Sequence, residues 1–473
     1  MPVSTGFRPS TSHAQLGGDF YDEVAPAVFP KHILRVRNQR WAERVGLGAL
    51  TDEEWIAHFG RFEPLPDSFQ KPLALRYHGH QFRSYNPELG DGRGFLFAQM
   101  RDLEDGRLLD FGTKGSGRTP WSRTADGRLT LKGGVREILA SEMLEALGVD
   151  TSKSFSLIET GEDLVRGDEP SPTRSSVLVR LSHSHIRIGS FQRLLYLDEH
   201  DNIAKLLDYT IQTYMPDVWR DDMAARAVAF IEEVGRRVAK TGAEWMLAGF
   251  VHGVLNTDNI NVTGESFDYG PWRFLPVLYP AFTAAYSDQT GLYAYGRQPD
   301  TLLWNMTRLA ECLLPLAGQA ELEAALRSFE PAFQRQFSAS MLRRLGLQPA
   351  GEPTDTDLIR ALWKFLIDSK APFEQVFFDW YGGRLSKTRA EEGVLKDTYA
   401  SADFAPVAAE IAKHEPAAGL RLDDPYFARQ KPCTMLIDEV EGIWDPIAAI
   451  DDWTLFYAKL ADIRAMAEAY STD

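Results

Sequence analysis

The stretch HGVLNTDN, residues 252–259, decides how the rest of the chain is read. In a phosphoryl-transfer loop, an Asp that takes the proton from the acceptor hydroxyl stands five residues before an Asn that holds magnesium. Asn259 fills the second position, but Val254 fills the first. The stretch alone leaves three readings open: a kinase without its base, an enzyme that moves another part of a nucleotide, or a polar loop unrelated to either.

Working outward, TGESFDYG places Asp268 ten residues after Asp258 and nine after Asn259. A loop, a short strand and an Asp-aromatic-Gly turn at this spacing bring an amide oxygen and a carboxylate together, the hard ligands suited to magnesium on nucleotide phosphates. Upstream, Lys114 closes the strand-like run RLLDFGTKG. Glu137 lies in VREILASEMLEALG, whose Val135, Ile138, Leu139, Met143, Ala146 and Leu147 share a helical face ending at Gly148. A strand lysine oriented by a helical carboxylate grips phosphates, whereas an isolated pair is a surface salt bridge of little worth. The order Lys114, Glu137, Asn259, Asp268 on those element types outweighs the bland reading of NTDN as an Asx-turn.

Three further clusters carry weaker signals. In ELGDGRGFLFAQ, Gly90 and Gly92 permit close backbone approach and Arg93 can meet a phosphate, although a hairpin turn is the commoner explanation. In TADGRLT, Asp126 and Gly127 read first as a turn. In VLVRLSHSHIRIGSFQ, Arg180 falls on the strand face opposite Val177 and Leu181 and can act as an anion clamp, with Arg187 seven residues on. His183 and His185 have no third ligand at metal-binding spacing, so zinc is not expected.

The organisation is that of an α+β protein. Residues 1–70 read as a helical preamble, with Thr51 and Glu54 set for a capping box. Residues 71–190 hold the strand candidates GRGFLFAQM, RLLDFGTKG and SSVLVRLS around one helix. Residues 191–415 read as mostly helical and contain the loop 252–268, entered from an amphipathic run marked by Met223, Ala227, Ile231, Val234, Val238 and Trp245. Residues 416–473 end in an amphipathic helical pair.

The totals restrict the function. Of 473 residues, 44% are hydrophobic and 25% charged, as in ordinary globular proteins. A net charge of −16 argues against broad nucleic-acid binding, which needs a basic surface, so an anionic ligand requires a local cationic cluster. Cys312 and Cys433 cannot build a disulfide framework and suit a reducing compartment, the cytoplasm. No run approaches the roughly 20 apolar residues of a membrane helix, and the N-terminus has no secretory character.

With these residues in place, the chain resembles the selenoprotein O family of pseudokinases, whose members are protein adenylyltransferases. The stretches that carry the resemblance are YHGHQF, LGDGR, KGSGRTPWSRTADGR, REILASEML, FVHGVLNTDN, DYGP, GLYAYGRQP and LWNMTRLA, spanning about residues 77–315. The resemblance implies a bilobed protein-kinase-like fold, β-rich then helical, with ATP reversed so that its α-phosphate faces the acceptor. It implies that Gly90, Gly92, Arg93, Lys114, Asp126, Gly127, Arg180 and Arg187 surround the nucleotide, with Glu137 supporting Lys114. Asn259 and Asp268 would hold Mg2+ or Mn2+, and Asp258 would accept the proton.

The implied product is AMP esterified to a Ser, Thr or Tyr hydroxyl of a protein, with pyrophosphate leaving, and Val254 then marks a change in which phosphorus reacts. Uridylylation from UTP with manganese, and a non-catalytic nucleotide-binding scaffold, are the alternatives. A cytoplasmic monomer without nucleic-acid or membrane partners is expected. Two positions depart from the family: Arg83 stands where relatives have glycine, and no cysteine precedes Ser287-Asp288, so the family's redox bridge is not expected. The last 60 residues match the family's pattern poorly, and no family feature is carried over to them.

Overall fold

The computed structural model describes residues 6–471. The fold is α+β, a large antiparallel sheet with many helices. The sheet's nine strands are β1 (Pro9–Ser10), β2 (Tyr21–Glu23), β3 (Ile33–Arg37), β4 (Leu73–Leu75) and, after a separate hairpin of β5 (Gly79–Gln81) and β6 (Ser84–Asn86), β7 (Leu96–Arg101), β8 (Leu108–Lys114), β9 (Leu129–Thr130), β10 (Lys153–Leu164) and β11 (Thr173–Ser182). Their order is β2-β4-β7-β8-β11-β10-β3, with β1 added to β7 and β9 to β11.

Strand alternation gives this sheet two buried faces. Val177, Val179 and Leu181 of β11 enter one core with Trp41, Trp55, Phe59 and Phe155, while Leu178 enters the other. Arg180 shares the Leu178 face and stands opposite Gly112 of β8.

The first of these faces is closed by the N-terminal residues, and here the sequence expectation needs correction. Residues 1–70 are not simply helical: their described part supplies β1, β2 and β3 as well as the helices α1 (Gln39–Arg44) and α2 (Asp52–Phe59). Strands of two to five residues carry too little period-two pattern to compete with a strong capping signal. That signal is correct in itself, since Glu54 N–H donates to Thr51 Oγ1 at 3.3 Å and Thr51 N–H to Glu54 Oε2 at 2.8 Å. From α2, Trp55 stacks on Phe155 with ring centroids 4.8 Å apart and donates to Ser156 Oγ at 2.8 Å. Full burial of rings of this size contributes about 2–3 kcal/mol each.

The second face receives α3 (Leu131–Ala146), whose Val135, Ile138, Leu139 and Met143 are buried there. The chain then passes through α4 (Ile188–Tyr196) and α5 (His200–Tyr214) to α6 (Met223–Leu247), capped by Asp222, which accepts from Ala225 N–H at 2.8 Å. α6 delivers the chain into β12 (Phe250–Val251), paired with β13 (Arg273–Phe274), so residues 252–272 form a loop tied at both ends. α7 (Gln298–Glu311) follows.

The last helices, Ile437–Ile450 and Thr454–Tyr470, return to α3 and join its core through Ile443, Ile447, Phe456 and Ile463. Asp451 between them accepts from Arg174 at 2.6 Å and from Arg35 at 3.0 Å, so the C-terminal segment is fastened to β11 and β3. Among the described residues no helix is long and apolar enough to cross a membrane.

Candidate active site

Lys114 is the last residue of β8, and α3 lies against the same sheet so that Glu137 meets it: the ammonium is bonded to the Glu137 carboxylate. The same nitrogen lies 3.0 Å from Asp268 Oδ1, and Arg180 Nη1 donates to that oxygen, also at 3.0 Å. Residues nominated from four separate stretches of sequence thus form one charge cluster. Asp268 holds φ at +65°, a left-handed conformation that a side chain disfavours, which the two cations stabilise. Burial alone raises its pKa, but Lys114, Arg180, Arg187 and Arg93 outweigh burial and keep it well below the usual carboxylate range.

The loop between β12 and β13 sets the second half of the site. His252 is fully buried and its Nε2 lies 3.0 Å from the Phe267 carbonyl, which ties the loop's beginning to the residue before Asp268. A 3₁₀ turn spans Thr257–Asn259. The Asn259 amide nitrogen donates to the Val254 carbonyl at 3.0 Å, leaving Oδ1 as the end able to coordinate a cation. Both ion pairs of Asp268 use Oδ1, so Oδ2 is the oxygen left for a cation. An amide oxygen and a carboxylate oxygen are the donor types that Mg2+ and Mn2+ take, and these residues therefore fit such an ion.

Asp258 is only 9% exposed, and its Oδ1 has no hydrogen-bond partner. Burial is the main reason its pKa rises to about 7; Arg187 opposes the shift and Asp268 adds to it. Arg187 does not pair with the Asp258 carboxylate: Nη1 donates to the Asp258 main-chain carbonyl at 3.1 Å. Its guanidinium lies 4.2 Å from the Tyr77 ring centroid and 5.1 Å from that of Phe267. Its Nη2 is 3.6 Å from Asp91 Oδ1. Asp91, in the run LGDGR, escaped the sequence reading because its role is set by a partner 96 positions away.

The glycine turns are explained by packing. A Cβ at Gly90 would lie 2.4 Å from Trp121 Cγ, and one at Gly92 would lie 2.9 Å from the Trp121 carbonyl oxygen. Gly127, at φ +70°, would place a Cβ 2.2 Å from the Gly117 carbonyl oxygen. Asp126 accepts from Arg166 at 2.8 Å, well exposed. His183 lies on the Leu108 carbonyl and His185 on Asp110, both inside the protein. Cys312 and Cys433 are free and buried.

Lys114, Glu137 and Val254 line a cleft of about 600 Å³. Its walls carry Arg93, Lys114, Arg128, Lys132, Arg136, Arg166 and Arg273 against Glu137, Asp168, Glu169 and Glu441. In a chain of net charge −16, this is the local excess of cations that a polyphosphate needs. Val254 lines this cleft together with Ala284 and Ala285. Glu441 reaches it from the helix Ile437–Ile450 and pairs with Lys132 at 2.7 Å.

A lysine, a helical glutamate and a turn aspartate joined beside a cationic cleft are an arrangement that grips nucleotide phosphates, and the comparisons with known proteins give the nucleotidyltransferase class. The chain belongs to the family described as protein adenylyltransferase SelO, whose model matches residues 5–464. It is 42% identical to the protein nucleotidyltransferase YdiU of Trichodesmium erythraeum over 490 aligned positions, covering 98% of each chain. It is 44% identical to that of Trichormus variabilis, covering 98% of this chain and 96% of that protein. With that of Gloeobacter violaceus the identity is 45%, over 95% and 94%. The family match therefore extends far beyond residues 77–315 and takes in most of the last 60 residues, to which no family feature had been extended. Those helices lack short motifs, yet one of them supplies Glu441 to the cleft.

Proposed function

We propose that the protein transfers AMP from ATP to Ser, Thr or Tyr hydroxyls of other proteins, in a bilobed kinase-like arrangement with the nucleotide reversed. The observation that carries this reading is the pairing of Val254 in the cleft wall with Asp258 four residues later, whose carboxylate lacks a hydrogen-bond partner at Oδ1 and has a pKa near 7. A base close to neutrality and displaced from the kinase position suits a hydroxyl attacking a different phosphorus.

In this reading the acceptor oxygen bonds to the α-phosphorus, the bond from that phosphorus to the oxygen bridging to the β-phosphorus breaks, and pyrophosphate departs. The acceptor proton passes to Asp258. Lys114, oriented by Glu137, and Arg180 and Arg187 bear on the phosphate tail, while Gly90, Gly92, Arg93, Asp126 and Gly127 shape the edge of the nucleotide site. Asn259 and Asp268 hold the divalent ion, Mg2+ or Mn2+, which when bound neutralises charge on the phosphates. Positioning and charge stabilisation provide most of the acceleration. The protein acts as a monomer in the cytoplasm.

Incubation with ATP labelled at either the α- or the γ-phosphate tests the reading. Label appearing in protein only from the α position is expected; label from the γ position alone overturns it. Including UTP as competitor tests whether the cleft's cations, which meet phosphates and not bases, leave the choice of base open.

A further inference from the structure

The hairpin β5–β6 is a small separate sheet, paired Gly79 to Asn86, His80 to Tyr85 and Gln81 to Ser84. It is fastened to the loop that carries Asp258. His80 N–H donates to Thr257 Oγ1 at 2.7 Å, and Phe82 N–H donates to Asn256 Oδ1 at 3.0 Å. A Cβ at Gly79 would lie 2.9 Å from Asp258 Oδ1, so the hairpin's first residue abuts the proposed proton acceptor.

The two turn residues are Phe82 and Arg83, both left-handed at φ +48° and +64°. A two-residue turn of this hand is the natural place for Asn and Gly, because a Cβ disfavours it. Their side chains find little inside the protein to offset that cost. Phe82 remains 41% exposed, its ring 5.0 Å from Tyr293. Among the described residues Arg83 has no carboxylate within ion-pairing distance; its guanidinium lies 5.3 Å from the Trp304 ring centroid, which Arg308 approaches at 5.0 Å. A strained turn that presents an aromatic ring and an unpaired cation, on a hairpin whose first residue abuts a reacting group, is organised for a partner.

We propose that this tip is the docking edge for the acceptor protein and that it recognises an extended segment with a carboxylate about three residues from the modified hydroxyl. The spacing follows from the hairpin. Gly79 abuts Asp258, and the three residues of β5 at about 3.3 Å each put the turn that carries Arg83 roughly 10 Å along, the length of about three extended acceptor residues. The ring of Phe82 meets the apolar part of the segment and Arg83 its carboxylate. The assignment rests on the proposed transfer reaction, and the experiment separates the two.

Fluorescent ten-residue peptides with Ala in place of the acceptor hydroxyl, carrying Glu or Lys three residues away, are titrated with the full-length protein at low and high salt. The Glu peptide is expected to bind roughly three- to fivefold more tightly at low salt, the range of a partly exposed ion pair, and the difference to shrink at high salt. Arg83→Gly, which suits φ +64°, abolishes the preference; Arg83→Lys keeps it; Phe82→Ala weakens both peptides equally. Equal binding of the two peptides to the wild-type protein, or a preference that survives Arg83→Gly, overturns the proposal. With hydroxyl-bearing peptides the preference appears in KM and not in kcat. If the Glu peptide binds as described but no AMP is transferred, the docking surface stands and the reaction assignment falls.

Discussion

Arg187 donates to the main-chain carbonyl of Asp258, at 3.1 Å, and not to its carboxylate. The arginine fixes where the residue sits without neutralising its charge, so a buried carboxylate keeps a pKa near 7 beside a guanidinium. Four predictions follow from this arrangement and its neighbours.

The transfer rate rises about tenfold per pH unit below 7 and levels off above it, as Asp258 loses its proton. Asp258→Asn lowers kcat by about 10²–10⁴. A carboxyl group whose folded pKa is raised contributes stability that is present below about pH 4 and lost as pH rises through 7. The variant therefore gains stability relative to wild type between pH 5 and pH 8, which urea denaturation at the two values measures.

Lys114→Ala leaves Glu137 buried without its cation and costs about 3–5 kcal/mol. Glu137→Gln keeps a polar partner for Lys114 and costs about 1–3 kcal/mol. Both weaken ATP binding, read by titration calorimetry, because in either variant the ammonium is absent or loosely held.

Asp268→Asn removes the carboxylate from Lys114 and Arg180 together. Manganese binding in the presence of ATP, followed by electron paramagnetic resonance, weakens markedly, and Asn259→Ala shows the same defect. The folded pKa of Asp268 is depressed, so its contribution to stability is present at neutral pH and is lost as pH falls below about 4 toward the folded value; Asp268→Asn should flatten acid denaturation there.

Gly90→Ala pushes a methyl group into Trp121 and should destabilise the protein by about 1–3 kcal/mol. Gly18→Ala, where an added methyl meets nothing within 4 Å, is the control and should shift stability by less than about 0.5 kcal/mol. Thermal melts compare them. A loss at Gly90 confined to nucleotide affinity would refute the packing explanation.

The parts of the molecule that were legible in the sequence are those whose signals are local. The period of Val135, Ile138, Leu139 and Met143 gave α3, and the alternation around Arg180 placed it on the face that meets Asp268. Asp258 is singled out only through the family resemblance, which puts the proton acceptor at that position. Asp91 and Glu441 are not, since each acquires its role from a distant partner, Arg187 and Lys132. The short strands β1, β2 and β3 were missed for a related reason: their pairing with β7, β4 and β10 defines them, not any pattern of their own.

The N-terminal cover over the sheet has a consequence for anyone dissecting the protein. Cutting the chain at residue 71 to obtain a minimal catalytic fragment would strip β3 from β10 and lay bare Phe111 and Phe155, where Trp55 and Phe59 now sit. Such a fragment would have a sticky sheet edge and a greasy flank, and it should precipitate before it could be assayed.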